Sequence, residues 1–168
     1  MWVESEFGKG SKFYFDMIFE IASQLDNPDD GCHTPELLSD DYCFDLLLVE
    51  DHKMNQIVAK KTLEKQWKNI SISIANHGKE AIEKLKEQKF DIILMDLQMP
   101  IMDGYETTDF IRTKFPKEVS EIPILAMTAH AHISKDEKFK EHGFDNFVLK
   151  PFEPEQLFNI ISKYVIHK

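Results

Sequence analysis

The sequence predicts an α/β fold: a five-stranded parallel sheet with helices on both faces, preceded by a β-hairpin. Three observations carry this. From residue 43 onward, five short apolar runs alternate with five segments of helical period. Strict alternation implies parallel strands joined by crossover helices, with the sheet covered on both faces. Four of the five runs end in residues that carry chemistry: Glu50-Asp51, Asp96, Thr128 and Lys150. Ahead of them, residues 12–21 alternate apolar and polar side chains, the period of a strand with one buried face.

The elements follow in order. Trp2-Val3-Glu4-Ser5 is a short strand, and Phe13, Phe15, Met17, Phe19 and Ile21 mark one face of a second. Phe7-Gly8-Lys9-Gly10-Ser11 between them is a glycine-containing turn, so 2–19 reads as a hairpin. A lone hairpin is marginal in water and needs another surface. Residues 22–42 hold six acids, two prolines, a glycine and no Lys or Arg, the composition of a solvated, self-repelling linker.

From Phe44 to Val49 runs the first strand of the sheet, followed by helical spacing over 53–67. Met54 and Val58 lie on one row of that helix, and Ala59, Leu63 and Trp67 on the next. Ile70–Ala75 is a strand, and Gly78–Glu87 a helix with Ala81, Ile82 and Leu85 inward. Asp91 to Met95 is a buried strand ending at Asp96, and 105–113 is helical. Ile122–Met127 is a strand ending at Thr128. Ser134-Lys135-Asp136-Glu137 is a capping box, and Gly143 ends the helix it opens. Asn146–Leu149 is the last strand. Pro154 suits a first helical position, with Leu157, Ile160, Ile161, Tyr164 and Val165 on one face.

Composition narrows the function classes. Apolar residues make up 42% and charged residues 30%, so the chain is neither disordered throughout nor membrane-embedded. No apolar run approaches the roughly 20 residues of a spanning helix, and no secretory signal opens the chain. The net charge is -10. Residues 1–41 carry a balance of -8 and residues 42–168 one of -2, so the deficit sits in the N-terminal part. No basic footprint for nucleic acid is present. Two cysteines, Cys32 and Cys43, are too few for a disulfide framework and suit a reducing cytoplasm.

Ligands of open parallel sheets sit beyond the carboxyl ends of the strands. Three carboxylates, a hydroxyl and an ammonium therefore converge on one edge. Clustered carboxylates are electrostatically costly unless a cation joins them. Hard oxygens in a small open site suit Mg²⁺. Carboxylate, Mg²⁺, Lys and hydroxyl are the parts of phosphoryl transfer, with one carboxylate as the nucleophile. Other features have plainer readings. Asp103-Gly104 is turn chemistry, Asn55 is a helix-start residue near the site, and Met95, Met99 and Met102 are packing residues. Gly8-Lys9-Gly10-Ser11 lacks the spacing of a P-loop.

At these residues the chain resembles the receiver domain of two-component response regulators. The matching stretches are Leu47-Leu48-Val49-Glu50-Asp51, Met95 through Gly104, Ala126-Met127-Thr128-Ala129 and Leu149-Lys150-Pro151-Phe152. They stand in order, at the family's spacing, across about residues 43–166. The wording is nearest to receivers fused to hybrid sensor histidine kinases, through Val49-Glu50-Asp51 to Asn55-Gln56. The resemblance implies a flavodoxin-like fold and assigns roles. Asp96 accepts the phosphoryl group. Asp51 and Asp96 ligate Mg²⁺, with the backbone carbonyl of Gln98 as the third protein ligand and Glu50 orienting a bound water. Lys150 pairs with the acyl phosphate, and Thr128 moves to hydrogen-bond it. Phe147 occupies the aromatic switch position, commonly Tyr in the family. Ala129 leaves that side of the phosphate open. The Lys150–Pro151 bond is expected to be cis, on the resemblance and because Lys150 must turn back over Asp96.

Residues 2–15 resemble the final hairpin of a histidine-kinase ATPase domain, whose nucleotide-binding boxes are absent from the chain. The expected organisation is 1–21 remnant kinase hairpin, 22–42 acidic linker and 43–168 receiver, the C-terminal piece of a hybrid kinase. The chain itself is then not an enzyme beyond its own phosphorylation and dephosphorylation. Its partners are a histidine kinase or a histidine phosphotransfer protein. Nucleic acid and membrane are not among them. The hairpin's apolar face is expected to lie against the receiver or to pair with the same hairpin of a second chain as a homodimer, and an exposed strand edge favours the second. Two other readings differ in class. One is the regulatory end of an intact sensor kinase, betrayed by nucleotide-box sequence upstream. The other is a pseudo-receiver that binds partners without phosphorylation, opposed by the complete Asp96, Asp51, Thr128 and Lys150 set.

Overall fold

The structure, a computed structural model, describes residues 2–6, 8–14, 16, 43–129 and 137–165. The hairpin and the sheet domain are separate compact units. In the hairpin, β1 (Trp2–Glu6) pairs antiparallel with β2 (Gly10–Tyr14), Trp2 opposite Tyr14 and Val3 opposite Phe13. Lys9 N–H closes the turn on the Glu6 carbonyl at 3.0 Å. Trp2 and Tyr14 stack on one face, their rings 5.3 Å apart. Val3 and Phe13 share the other face and are 54% and 69% exposed. The rest of the expected alternation, the linker and the capping Ser134 lie outside the described residues.

The second unit contains β3 (Phe44–Val49), α1 (Lys53–Gln66), β4 (Ile70–Ala75), α2 (Gly78–Glu87), β5 (Ile92–Asp96), α3 (Gly104–Lys114), α4 (Lys117–Ser120), β6 (Ile124–Thr128), α5 (Glu137–Glu141), β7 (Asn146–Leu149) and α6 (Pro154–Val165). All pairings are parallel, in the order β4-β3-β5-β6-β7. The inner strands are buried, apart from Asp45 of β3, because both faces are covered. Alternate residues feed two cores. Leu47, Val49, Ile93, Met95, Ile124 and Ala126 pack with Ala81, Leu85 and Ile111 of α2 and α3. Leu46, Leu48, Ile92, Leu94, Leu125, Met127 and Val148 pack with Ala59 and Leu63 of α1 and Leu157 and Ile161 of α6. The expected five-stranded parallel sheet, covered on both faces, is thus observed.

Two strand starts need correction, and two helical features go beyond the sequence reading. Strand β6 begins at Ile124, not Ile122, because Pro123 has no N–H for the ladder. Strand β5 begins at Ile92. Asp91 instead closes a loop against Asp45, donating to its carbonyl at 2.8 Å and accepting its N–H at 2.9 Å. A one-turn helix, α4, was not expected; it starts after Pro116, where a fixed φ favours helix entry. The Met54–Val58 row of α1 faces solvent, at 60% and 48% exposure. The buried row is Gln56, Ala59 and Leu63, closed by Trp67 between Phe44 and Phe158.

Two glycines matter to the domain. Gly143 stands at φ 83° after α5, the left-handed position that ends a helix. Its carbonyl accepts from Arg112 Nε at 2.8 Å. The same guanidinium binds the Ser120 and Ile122 carbonyls and Asp145, tying α3 to the starts of β6 and β7. Gly104 opens α3 directly against the end of β5. A Cβ there would lie 2.3 Å from the Asp96 carbonyl oxygen and 2.9 Å from Leu97 Cα. These are backbone atoms, so the helix or the strand end must shift. Gly104→Ala is expected to destabilise the domain by roughly 1–3 kcal/mol, read as a lowered urea midpoint at unchanged slope.

Candidate functional site

The carboxyl ends of β3, β5, β6 and β7 lie along one edge because all four strands are parallel neighbours. Chain connectivity thus gathers residues far apart in sequence. Lys150, following β7, places Nζ 2.6 Å from Glu50 Oε2 and 2.7 Å from Asp96 Oδ2. Its own N–H donates to the Thr128 carbonyl at 2.7 Å, and the Lys150–Pro151 bond is cis, as expected. Glu50 is 1% exposed and Asp96 7%, whereas Asp51 is exposed. Glu50 Oε1 also accepts from His52 N–H at 3.2 Å and Asn55 Nδ2 at 2.9 Å. Asp96 Oδ1 accepts from Gln98 N–H at 3.2 Å. These groups, with Thr128 and Ala129, line a cleft of about 230 Å³.

The charge in this cleft is unbalanced. Carboxylate oxygens of Glu50, Asp51 and Asp96 all lie within 4.8 Å of one another, against one ammonium among the described residues, that of Lys150. Burial, the largest influence, pushes the Asp96 carboxyl above its ordinary value. Lys150 opposes this, and the Glu50 charge adds to it. The donor set is hard oxygen on an open rim beside buried anionic charge, which fits Mg²⁺.

Every strand-end residue singled out from the sequence lines this cleft: Glu50, Asp51, Asp96, Gln98, Thr128 and Lys150. Phe147 is half-buried on β7, with its ring edge-on to Phe139 at 6.0 Å. Asp103 caps α3 by accepting Glu106 N–H at 2.8 Å. Met95 and Met99 are buried in the core. Ile101 stands at φ 73° between Met102 N–H and the Pro100 carbonyl, 2.8 Å apart. That is a tight, strained turn for a β-branched residue, in the loop that follows Asp96.

Three polar placements were not read from the sequence. Asn55 holds the Glu50 carboxylate rather than merely starting a helix. Gln56 is buried beneath the same loop; a polar side chain on the Ala59–Leu63 row is the signal that marks it. His142 pairs with Asp109 at 2.7 Å, across a separation no local pattern reveals. Asn76, beside Gln56, is held by Glu80 through both its N–H and Nδ2 at 2.8 Å. Burial raises the Glu80 carboxyl, but the Asn76 hydrogen bonds outweigh it, so its pKa lies below the ordinary value.

Comparison with known proteins agrees with this geometry. The family model described as "Response regulator receiver domain" matches residues 46–162. Hybrid signal transduction histidine kinase I of Dictyostelium discoideum is 42% identical over 125 residues, 71% of this chain and 7% of that protein. Hybrid signal transduction histidine kinase K of the same organism is 33% identical over 95% of this chain and 13% of its own length. The chain therefore spans only a small part of these curated relatives. Among solved structures, the receiver domain of the Pseudomonas aeruginosa sensor kinase PA1611, with magnesium in its active-site cleft, superposes with a TM-score of 0.65. It is 30% identical, covering 74% of this chain and 98% of that one. The receiver of yeast Ssk1, in complex with the phosphotransfer protein Ypd1, gives a TM-score of 0.64 at 28% identity, covering 74% and 90%. Among the described residues, no helix is long and apolar enough to cross a membrane.

Proposed function

The chain belongs to the response regulator receiver domain family, and on that premise we propose that it takes a phosphoryl group from a phosphohistidine onto Asp96 in a phosphorelay. The observation that carries this is the ammonium of Lys150 bridging Asp96 and Glu50 beside Asp51, at the mouth of the cleft. An Asp96 carboxylate oxygen attacks phosphorus. The nitrogen–phosphorus bond breaks, its electron pair stays with the imidazole, and an acyl phosphate forms on Asp96. Lys150 is placed to exchange a carboxylate for a phosphoryl oxygen, and the Thr128 hydroxyl to donate to another. Asp51, Asp96 and the Gln98 carbonyl would hold Mg²⁺, with Glu50 adjoining, and the cation supplies charge neutralisation to the phosphoryl oxygens. Phe147, packed on Phe139, is the residue through which the surface responds. Incubation with acetyl phosphate and Mg²⁺ tests the reading: intact mass should show one phosphoryl adduct, which should not form when EDTA is present from the start. No adduct at any Mg²⁺ concentration favours a pseudo-receiver.

The phosphodonor or acceptor partner is a histidine kinase or histidine phosphotransfer protein. The exposed Met54, Ile57 and Val58, on the helix that starts beside Asp51, give such a partner an apolar contact at the rim of the cleft. The similarity to a hybrid kinase over 95% of the chain favours 1–21 as a kinase-derived hairpin, 22–42 as linker and 43–168 as receiver. In this reading the receiver is the cytoplasmic regulatory end of a hybrid sensor histidine kinase and catalyses only its own phosphorylation and dephosphorylation. The hairpin's exposed Val3 and Phe13 favour pairing with a second copy. Light scattering is expected to show a dimer for the whole chain and a monomer for residues 42–168. Two monomers would remove the hairpin as an association element.

A further inference from the structure

One buried polar side chain next to the cleft takes no part in the chemistry above. Gln56 is 4% exposed, on the inward row of α1. Its amide nitrogen donates to the Glu50 carbonyl at 2.5 Å and to Asn76 Oδ1 at 3.1 Å. The orientation is not arbitrary. Glu80 accepts from both nitrogens of Asn76, so Asn76 Oδ1 is left facing Gln56, and Gln56 must present its nitrogen. On its other side, the Glu50 N–H donates to the Ala75 carbonyl at 3.0 Å. The backbone of Glu50 is thus pinned through both its N–H and its C=O, immediately before Asp51.

This bears on Asp51 in particular. Glu50 has its carboxylate held by Lys150, Asn55 and His52, and Asp96 by Lys150 and Gln98. Asp51 is exposed, and among the described residues none donates a hydrogen bond to its carboxylate. Its aim is set by the peptide that carries it. A buried amide that loses its acceptor geometry leaves polar groups unsatisfied, so Gln56 resists any rotation of that peptide.

We propose that Gln56 is a positioning residue for the cation site: it fixes the Glu50–Asp51 peptide, and so the direction of the Asp51 carboxylate, from beneath. The proposal rests on the reading of the cleft as a divalent-cation site. Groups that orient ligands from behind typically change metal affinity about 10–100-fold when removed.

The test is Mn²⁺ binding to the full chain, followed by the electron paramagnetic resonance of the free ion, without any phosphodonor. Gln56→Met keeps the volume and removes the donors. It should weaken Mn²⁺ binding about tenfold or more, beyond anything its urea midpoint explains. Asn76→Ala removes one of the two acceptors and should weaken binding in the same direction, by less. It decides the matter if Gln56→Met does not fold. Unchanged affinity in folded variants overturns the proposal and assigns Gln56 a purely structural role. Asp51→Asn is the reference. If it abolishes Mn²⁺ binding while the Gln56 and Asn76 variants bind normally, the cation site stands and the positioning role falls. If Asp51→Asn binds Mn²⁺ as the natural sequence does, the cation reading fails and takes this inference with it.

Discussion

Asp96→Asn should abolish the phosphoryl mass adduct formed with acetyl phosphate and Mg²⁺. The amide keeps the shape of the side chain but offers no anionic oxygen to phosphorus, and neither other carboxylate of the cleft among the described residues is placed to substitute. Glu50 is 1% exposed, with Oε2 taken by Lys150 and Oε1 by Asn55 and His52. Asp51 lies at the solvent rim, where in this reading its carboxylate is engaged by Mg²⁺. The fold should survive the change, because Asp96→Asn removes one negative charge from a cluster that has an excess of them. An adduct of undiminished intensity on the folded variant would move the phosphoacceptor elsewhere.

Lys150→Met should produce the largest loss of stability among single changes at the cleft. Among the described residues the ammonium is the one cation paired with these two buried carboxylates, and its side chain is only 18% exposed. Removing one member of such a group leaves uncompensated buried charge, typically about 3–5 kcal/mol. The loss must depend on pH. Burial already raises the Asp96 carboxyl above its ordinary value, and without Lys150 it rises further. Between the unfolded and folded values the folded state binds the extra proton, so stability falls as pH rises through that window. Below it, both states are protonated and the penalty is absent. Urea denaturation should therefore show a wide gap between variant and natural sequence at neutral pH, closing as pH falls toward 4. Millimolar Mg²⁺ should stabilise the variant more than the natural sequence, since it enters a more negative site. An equal gap at both pH values would mean that Lys150 contributes packing rather than charge.

The fold and most of the cleft were legible in the sequence because both follow from periodicity. Runs such as Phe44–Val49 and Ile92–Met95 are too short for helices and too apolar for exposed strands. Alternation with helical segments then makes the sheet parallel. Parallel connectivity alone brings the residues after those runs to one edge. Glu50-Asp51, Asp96, Thr128 and Lys150 could therefore be grouped although Lys150 lies 100 residues from Glu50.

Other features depend on contacts that periodicity does not encode. Met54 and Val58 repeat at helical spacing as Ala59 and Leu63 do, yet only the latter row is buried. Which row turns inward depends on the placement of α1 against β4 and α6. The lone turn of α4 between Pro116 and the Arg112 clamp has too few residues to show a period.

By itself, the sequence determined the order of the elements, the parallel sheet and which residues end its strands, because apolar spacing reports burial along a single element. Only the tertiary structure decided the pairings that make those residues work together. Lys150 lies between Glu50 and Asp96, Asn55 meets the Glu50 carboxylate, Gln56 reaches its carbonyl and Asn76, and Arg112 bridges the connections before β6 and β7. Hydrogen bonds require donor and acceptor within about 3 Å and in line. That condition belongs to the packed chain, where elements distant in sequence come to rest side by side.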